Sequence, residues 1–157
     1  MNLSPAEDAL TANPVIVVEV ADRQATVRVD SSLLAEAVRS VIDDSGKTSA
    51  QVSVAVVDDA TIQRINRDFL SHDYPTDVLS FALEETDERL EGEIILSAET
   101  AVRNAREFGQ PVANELLLYA IHGALHLVGY EDKAESSAGK MRAAEERYIK
   151  LLKGGMG

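Results

Sequence analysis

The segment ELLLYAIHGALHLVG, residues 115–129, is apolar on nearly every face of the helix it would form. A helix of that kind cannot lie on a surface, so the rest of the chain has to wrap it. At 157 residues the chain is long enough to do so as one domain. The wrapping material alternates between two periods. VIVVEV (15–20), ATVRV (25–29), QVSVAVV (51–57), VLSFAL (78–83) and GEIILS (92–97) read as strands, the first two forming a hairpin across ADRQ and the last two an antiparallel pair. The acidic run EETDERLEGE (84–93) reads as a solvated hairpin loop.

Helices fill the intervals. Apolar residues at 33, 34, 37, 38, 41 and 42 mark an amphipathic helix with Ser31 or Ser32 as cap and Gly46 as terminator. Asp58 or Asp59 caps ATIQRINRDFL, whose buried stripe is Ile62, Ile65 and Phe69. Ser97 caps AETAVRNAREFG, Pro111 opens the long apolar helix, and Gly129 closes it. A last amphipathic helix, roughly 134–152, carries Met141, Tyr148, Leu151 and Leu152. The expectation is a single α+β domain over 15–152, a small mixed sheet packed with about five helices. A flexible acidic tail (1–14) and a frayed tail (153–157) flank it.

Composition narrows the function. No run approaches eighteen uncharged apolar residues, so nothing is expected to span a membrane. The start, MNLSPAEDALTANP, lacks the positive and apolar regions of a signal peptide. With no cysteine there is no disulfide and no thiolate, so a transition metal must be held by imidazole and carboxylate, and a cytoplasmic location fits. The net charge of −12 opposes nucleic-acid binding unless a local basic patch supplies it.

Two of the three histidines, His122 and His126, stand four apart in the apolar helix. Residues so spaced lie on one face, which Tyr119 and Glu115 continue toward the N-terminus. Two imidazoles so placed form half of a zinc site; the bland alternative is a pair of hydrogen-bonded core residues. Gly123 stands where a zinc peptidase of the HExxH type keeps its glutamate base, which argues against that chemistry. After Gly129 the chain can turn sharply, and a carboxylate from Glu131 or Asp132 could return to the histidine face. By spacing alone, a solvent-facing loop acid is the favoured reading of Asp132 over a ligand.

HGALHLVGYED (122–132) resembles the H-G-x-L-H-L-x-G-Y-D-H signature of the bacterial YbeY family, zinc-dependent endoribonucleases of ribosomal RNA maturation. PTDVLSF (75–81) agrees with the same family, and Asn66, EGEIILS, Met141 and Glu145 agree more loosely. The similarity runs from about residue 15 to 152. It implies zinc ligands at His122, His126 and Asp132, the last standing where the family has a third histidine. Asp132 makes the site one unit more negative, which weakens the Lewis acid and admits harder metals such as manganese. Glu131 replaces the family's usual aspartate and is a candidate base.

A second departure is Leu70, where the family commonly carries an arginine associated with RNA binding or cleavage. Arg67, one turn earlier, is the substitute candidate for phosphate contact, against the bland reading of a surface arginine. His72 could add an acid, base or cation, or simply be solvated. Asp77 is expected to orient a zinc histidine or its own loop. The function implied is a metal-dependent endoribonuclease cleaving single-stranded RNA, with ribosomal RNA and the small ribosomal subunit or an assembly factor as partners. Two alternatives remain: a non-catalytic or weakly catalytic assembly factor that keeps its metal, and a metallohydrolase of another substrate.

Overall fold

The computed structural model describes residues 14–154, so both expected tails lie largely outside the described residues. Among the described residues, four strands and five helices follow in the order β1 (Val15–Asp22), α1 (Ser31–Asp44), β2 (Ser49–Val57), α2 (Asp59–Leu70), β3 (Val78–Glu85), β4 (Arg89–Ser97), α3 (Ala98–Phe108), α4 (Val112–Leu127) and α5 (Glu135–Gly154). The strands form one mixed sheet, ordered β1-β2-β4-β3. β1 and β4 run parallel to β2, and β3 runs antiparallel to β4. This is the expected α+β domain.

The hairpin expected at 15–29 does not form. β1 pairs instead with β2, Val15 opposite Ser49 through Asp22 opposite Val56. The side chain of Gln24 explains the failure. Its amide nitrogen donates to Asp22 Oδ1 and to the Val27 carbonyl, while its carbonyl accepts from the Thr26 and Val27 amides. The segment thus closes on itself and offers no ladder to β1. Its β-branched residues Val27 and Val29 pack against the core instead.

Asp30, not Ser31 or Ser32, caps α1 by accepting from the Leu33 amide at 3.1 Å. The caps from Asp58 on α2 and Ser97 on α3 are as expected. On α2 the buried stripe is shifted: Ile62 is buried, but the next inward residue is Asn66, and Phe69 is 72% exposed. Asn66 is held inside because its amide donates to the Tyr74 carbonyl, fixing the loop into β3. Phe69 lies against Phe81, ring centroids 5.9 Å apart. The acids of the 84–93 run are mostly on strands, with only residues 86–88 between β3 and β4.

The two sheet faces are unequally covered. One carries Val18, Val52, Val54, Val56, Leu90, Ile94 and Leu96, buried with α1, α3, α4 and α5 in the main core. The other keeps only a small cluster, Val57, Ile62, Leu79 and Ile95, beside α2. On α5, Met141, Ala144, Tyr148 and Leu152 are buried and Leu151 is exposed. Among the described residues no helix is long and apolar enough to cross a membrane.

Candidate metal centre

The site is built on α4, most of whose residues are buried, as an all-round apolar helix requires. Gly123 sets how close it sits to the sheet. A Cβ there would lie 2.7 Å from Ile94 Cγ2, 3.0 Å from Ser80 Oγ and 3.2 Å from Val78 Cγ2, so only glycine permits the approach. The Ser80 hydroxyl donates to the Gly123 carbonyl at 3.0 Å and locks the contact. The neighbouring His122 and His126 side chains are thereby held at the edge of the core, 23% and 31% exposed.

At its C-terminal end α4 turns through Gly129, whose φ of +105° only glycine adopts readily. The Gly129 amide donates to the His126 carbonyl and the Tyr130 amide to the Leu125 carbonyl, closing the last turn. The reversal brings Asp132 back over the histidines. Its Oδ2 lies 3.6 Å from His122 Nε2 and 3.5 Å from His126 Nε2, and the two Nε2 atoms are 3.0 Å apart. These are the atoms a metal would use. A tetrahedral ion about 2.0–2.1 Å from each ligand holds its ligands about 3.3 Å apart, close to the triangle found.

The other ring nitrogens decide what the Nε2 atoms offer. His122 Nδ1 faces the carboxylate of Glu145 on α5 at 3.1 Å, and His126 Nδ1 faces the Tyr130 carbonyl at 3.0 Å. Both partners are acceptors, so each Nδ1 carries a hydrogen, and a ring in its neutral form turns its Nε2 lone pair inward. Two lone pairs facing at 3.0 Å repel unless a cation stands between them. Burial opposes protonation of His122, but the hydrogen bond and charge of Glu145, with Asp132 and Asp77, outweigh it and raise its pKa. The site therefore attracts positive charge. With two imidazoles and a carboxylate, and no cysteine in the chain, the donor set fits zinc or a harder divalent ion.

The remaining candidates are differently placed. Arg67 lies on the exposed side of α2, its Nε 3.2 Å from Asp68 and its Nη1 4.0 Å from Asp73. The His72 ring stacks on Tyr74. Asp77 accepts from the Val78 amide and from the Thr76 hydroxyl, shaping its own loop; among its hydrogen bonds none goes to a histidine. Glu131 is exposed beside Gly129, Tyr130, Ser137 and Lys140. Along the histidine face, buried Tyr119 accepts from the Asn104 amide at 2.7 Å, and burial pushes its phenol pKa up. The carboxylate partner of His122 was not legible from spacing: Glu145 is 23 residues away on another helix.

A family model described as Endoribonuclease YbeY matches residues 19–153. The chain belongs to that family. Curated YbeY endoribonucleases are similar along most of it. The Rhodopirellula baltica protein is 46% identical over 76% of this chain and 62% of its own length. The Syntrophotalea carbinolica protein is 38% identical over 87% of this chain and 96% of its own. The Chlorobaculum tepidum protein is 39% identical over 80% and 90%. A solution structure from Thermotoga maritima superposes with a TM-score of 0.60 at 28% identity, covering 90% of this chain and 91% of that one. The YbeY resemblance drawn from HGALHLVGYED and PTDVLSF is thus borne out.

Proposed function

We propose that this YbeY family member is a metal-dependent endoribonuclease that cleaves single-stranded RNA in ribosomal RNA maturation and ribosome assembly, working in the cytoplasm. One observation carries the metal dependence: three donor atoms from His122, His126 and Asp132 converge at the separations a single ion needs. Zinc is the first candidate and manganese the second, because Asp132 adds a hard, negative donor.

When bound, a divalent ion at these residues supplies Lewis acidity toward a phosphodiester oxygen and makes water a stronger acid near neutral pH. The chain's own groups do the rest. Glu145 and the Tyr130 carbonyl hold the imidazole N–H groups outward, leaving both Nε2 atoms as donors. The buried flank of α4 excludes water on one side, while the half-exposed Asp132 leaves the other open to a strand. Arg67 is the proposed phosphate contact. Its pairings with Asp68 and Asp73 are solvent-exposed, worth about 0–1 kcal/mol each, so exchanging them for a phosphate costs little. The net charge of −12 keeps affinity for free RNA low, and docking on the small subunit or an assembly factor would raise the local concentration.

Leu70, 44% exposed where the family commonly carries arginine, favours a second reading: an assembly factor with a retained metal and little catalysis. Metal content after native purification without a histidine tag, read together with cleavage of single-stranded RNA by the same sample, separates the two: metal without cleavage is the second reading. About one zinc per chain in the wild type, sharply reduced in Asp132→Ala together with cleavage of single-stranded RNA, is expected. A folded wild type without metal would exclude the hydrolase reading, as would an Asp132→Ala variant that binds no metal yet cleaves normally.

A further inference from the structure

The two histidines are oriented by different parts of the molecule. His126 Nδ1 donates to the Tyr130 carbonyl, a backbone group in the turn that follows its own helix. His122 Nδ1 has the Glu145 carboxylate of α5 as its hydrogen-bond partner. The Glu145 side chain is only 12% exposed, beside the Met141–Ala144–Tyr148–Leu152 stripe that seats α5 in the core. Without Glu145, the ring loses the acceptor that sets its tautomer and its rotation about the Cβ–Cγ bond.

We infer that Glu145 is a positioning residue, fixing His122 as an Nε2 donor and so coupling the seating of the C-terminal helix to metal binding. The inference rests on the metal centre proposed above. It adds that one of the two helix donors is set by an element outside the ligand-bearing segment 122–132. Outer carboxylates of this kind are typically worth about 10–100-fold in metal affinity. Binding free energies are reciprocal, so the ion must then strengthen the seating of α5 by the same factor. The helix itself does not depend on Glu145 to stay folded, because the Tyr148 hydroxyl donates to Asp44 on α1 at 2.6 Å and Met141, Ala144 and Leu152 are buried alongside Tyr148.

Glu145→Ala and Glu145→Gln test the inference, the latter keeping a carbonyl acceptor at the same place. Imidazole nitrogen NMR on metal-free protein reads the His122 tautomer directly. The expected result is one Nδ1–H tautomer in the wild type, a mixture in Glu145→Ala, and recovery in Glu145→Gln. Zinc affinity by chelator competition should fall about 10–100-fold in Glu145→Ala and less in Glu145→Gln. Hydrogen exchange in α5 should slow on adding zinc to the wild type, and much less in Glu145→Ala. An unchanged tautomer and unchanged zinc affinity in a folded Glu145→Ala variant would overturn the coupling. A wild type that binds no zinc would overturn the metal centre instead, while the tautomer measurement would still report on Glu145.

Discussion

The three converging donors come from two regions of opposite character. His122 and His126 project from a helix locked to the sheet by the Gly123 contact and the Ser80 hydrogen bond. Asp132 comes from a surface turn, its side chain 45% exposed, positioned by a left-handed glycine and two backbone hydrogen bonds. Core packing leaves the helix donors almost no freedom, since a methyl group anywhere along that contact is felt. The turn donor is constrained only by reach. The third histidine that the resemblance implies at position 132 is an aspartate here, at this looser point, where a shorter or differently charged side chain disturbs no packing. Under the proposed function, the rigid region would decide whether an ion is held, and the loose one which ion and how acidic it is.

Breaking the rigid side should have the largest effect. His122→Ala or His126→Ala removes one of only two nitrogen donors and should abolish stoichiometric zinc and RNA cleavage, read by metal analysis and a gel assay on single-stranded RNA. Next is Gly123→Ala, which touches no donor atom. Forcing a methyl group into the gap should cost about 1–3 kcal/mol, measured by denaturant unfolding of metal-free protein, with metal affinity falling as the helix shifts. A variant as stable as wild type would show that the helix has more latitude than the contact implies.

On the loose side, Asp132→His should leave stability within about 0.5 kcal/mol, as surface changes usually do, while altering chemistry. Replacing the carboxylate by a neutral imidazole should shift preference from manganese toward zinc and move the pH–rate profile to lower pH. No movement of the profile would mean that the group titrating in it is not controlled by the ion. The smallest effect belongs to Arg67→Ala. Its surface pairs contribute little to stability, but if it meets a phosphate, the salt dependence of RNA binding should lose about one unit of slope. An unchanged slope would leave Arg67 as a surface residue only.

The same contrast governs how much could be read without coordinates. The apolar helix, the Asp58 and Ser97 caps, the antiparallel β3–β4 pair and the histidine face are all written in neighbouring residues, and all form as expected. What neighbouring residues do not reveal depends on distant partners or on one side chain's choice. The 25–29 segment has the composition of a strand, but Gln24 spends its amide group on a local turn. Phe69 has helical spacing for burial, yet Asn66 takes the inward position because the Tyr74 carbonyl needs a donor. Glu145 announces nothing locally; only folding brings α5 against His122.

The Gly123 contact also limits what this scaffold can become. In peptidases of the HExxH type the residue after the first histidine is the glutamate that handles the proton. Here that position points into the sheet, toward Ile94, Ser80 and Val78. A glutamate would have to force its side chain and its charge against Ile94 and Val78, a cost that the single Ser80 hydroxyl there does not offset. The one-codon step that would seem to turn this centre into a peptidase is therefore barred by packing. Any proton-handling group recruited here must arrive from the open side, where the turn, the neighbouring loop or the substrate can supply it.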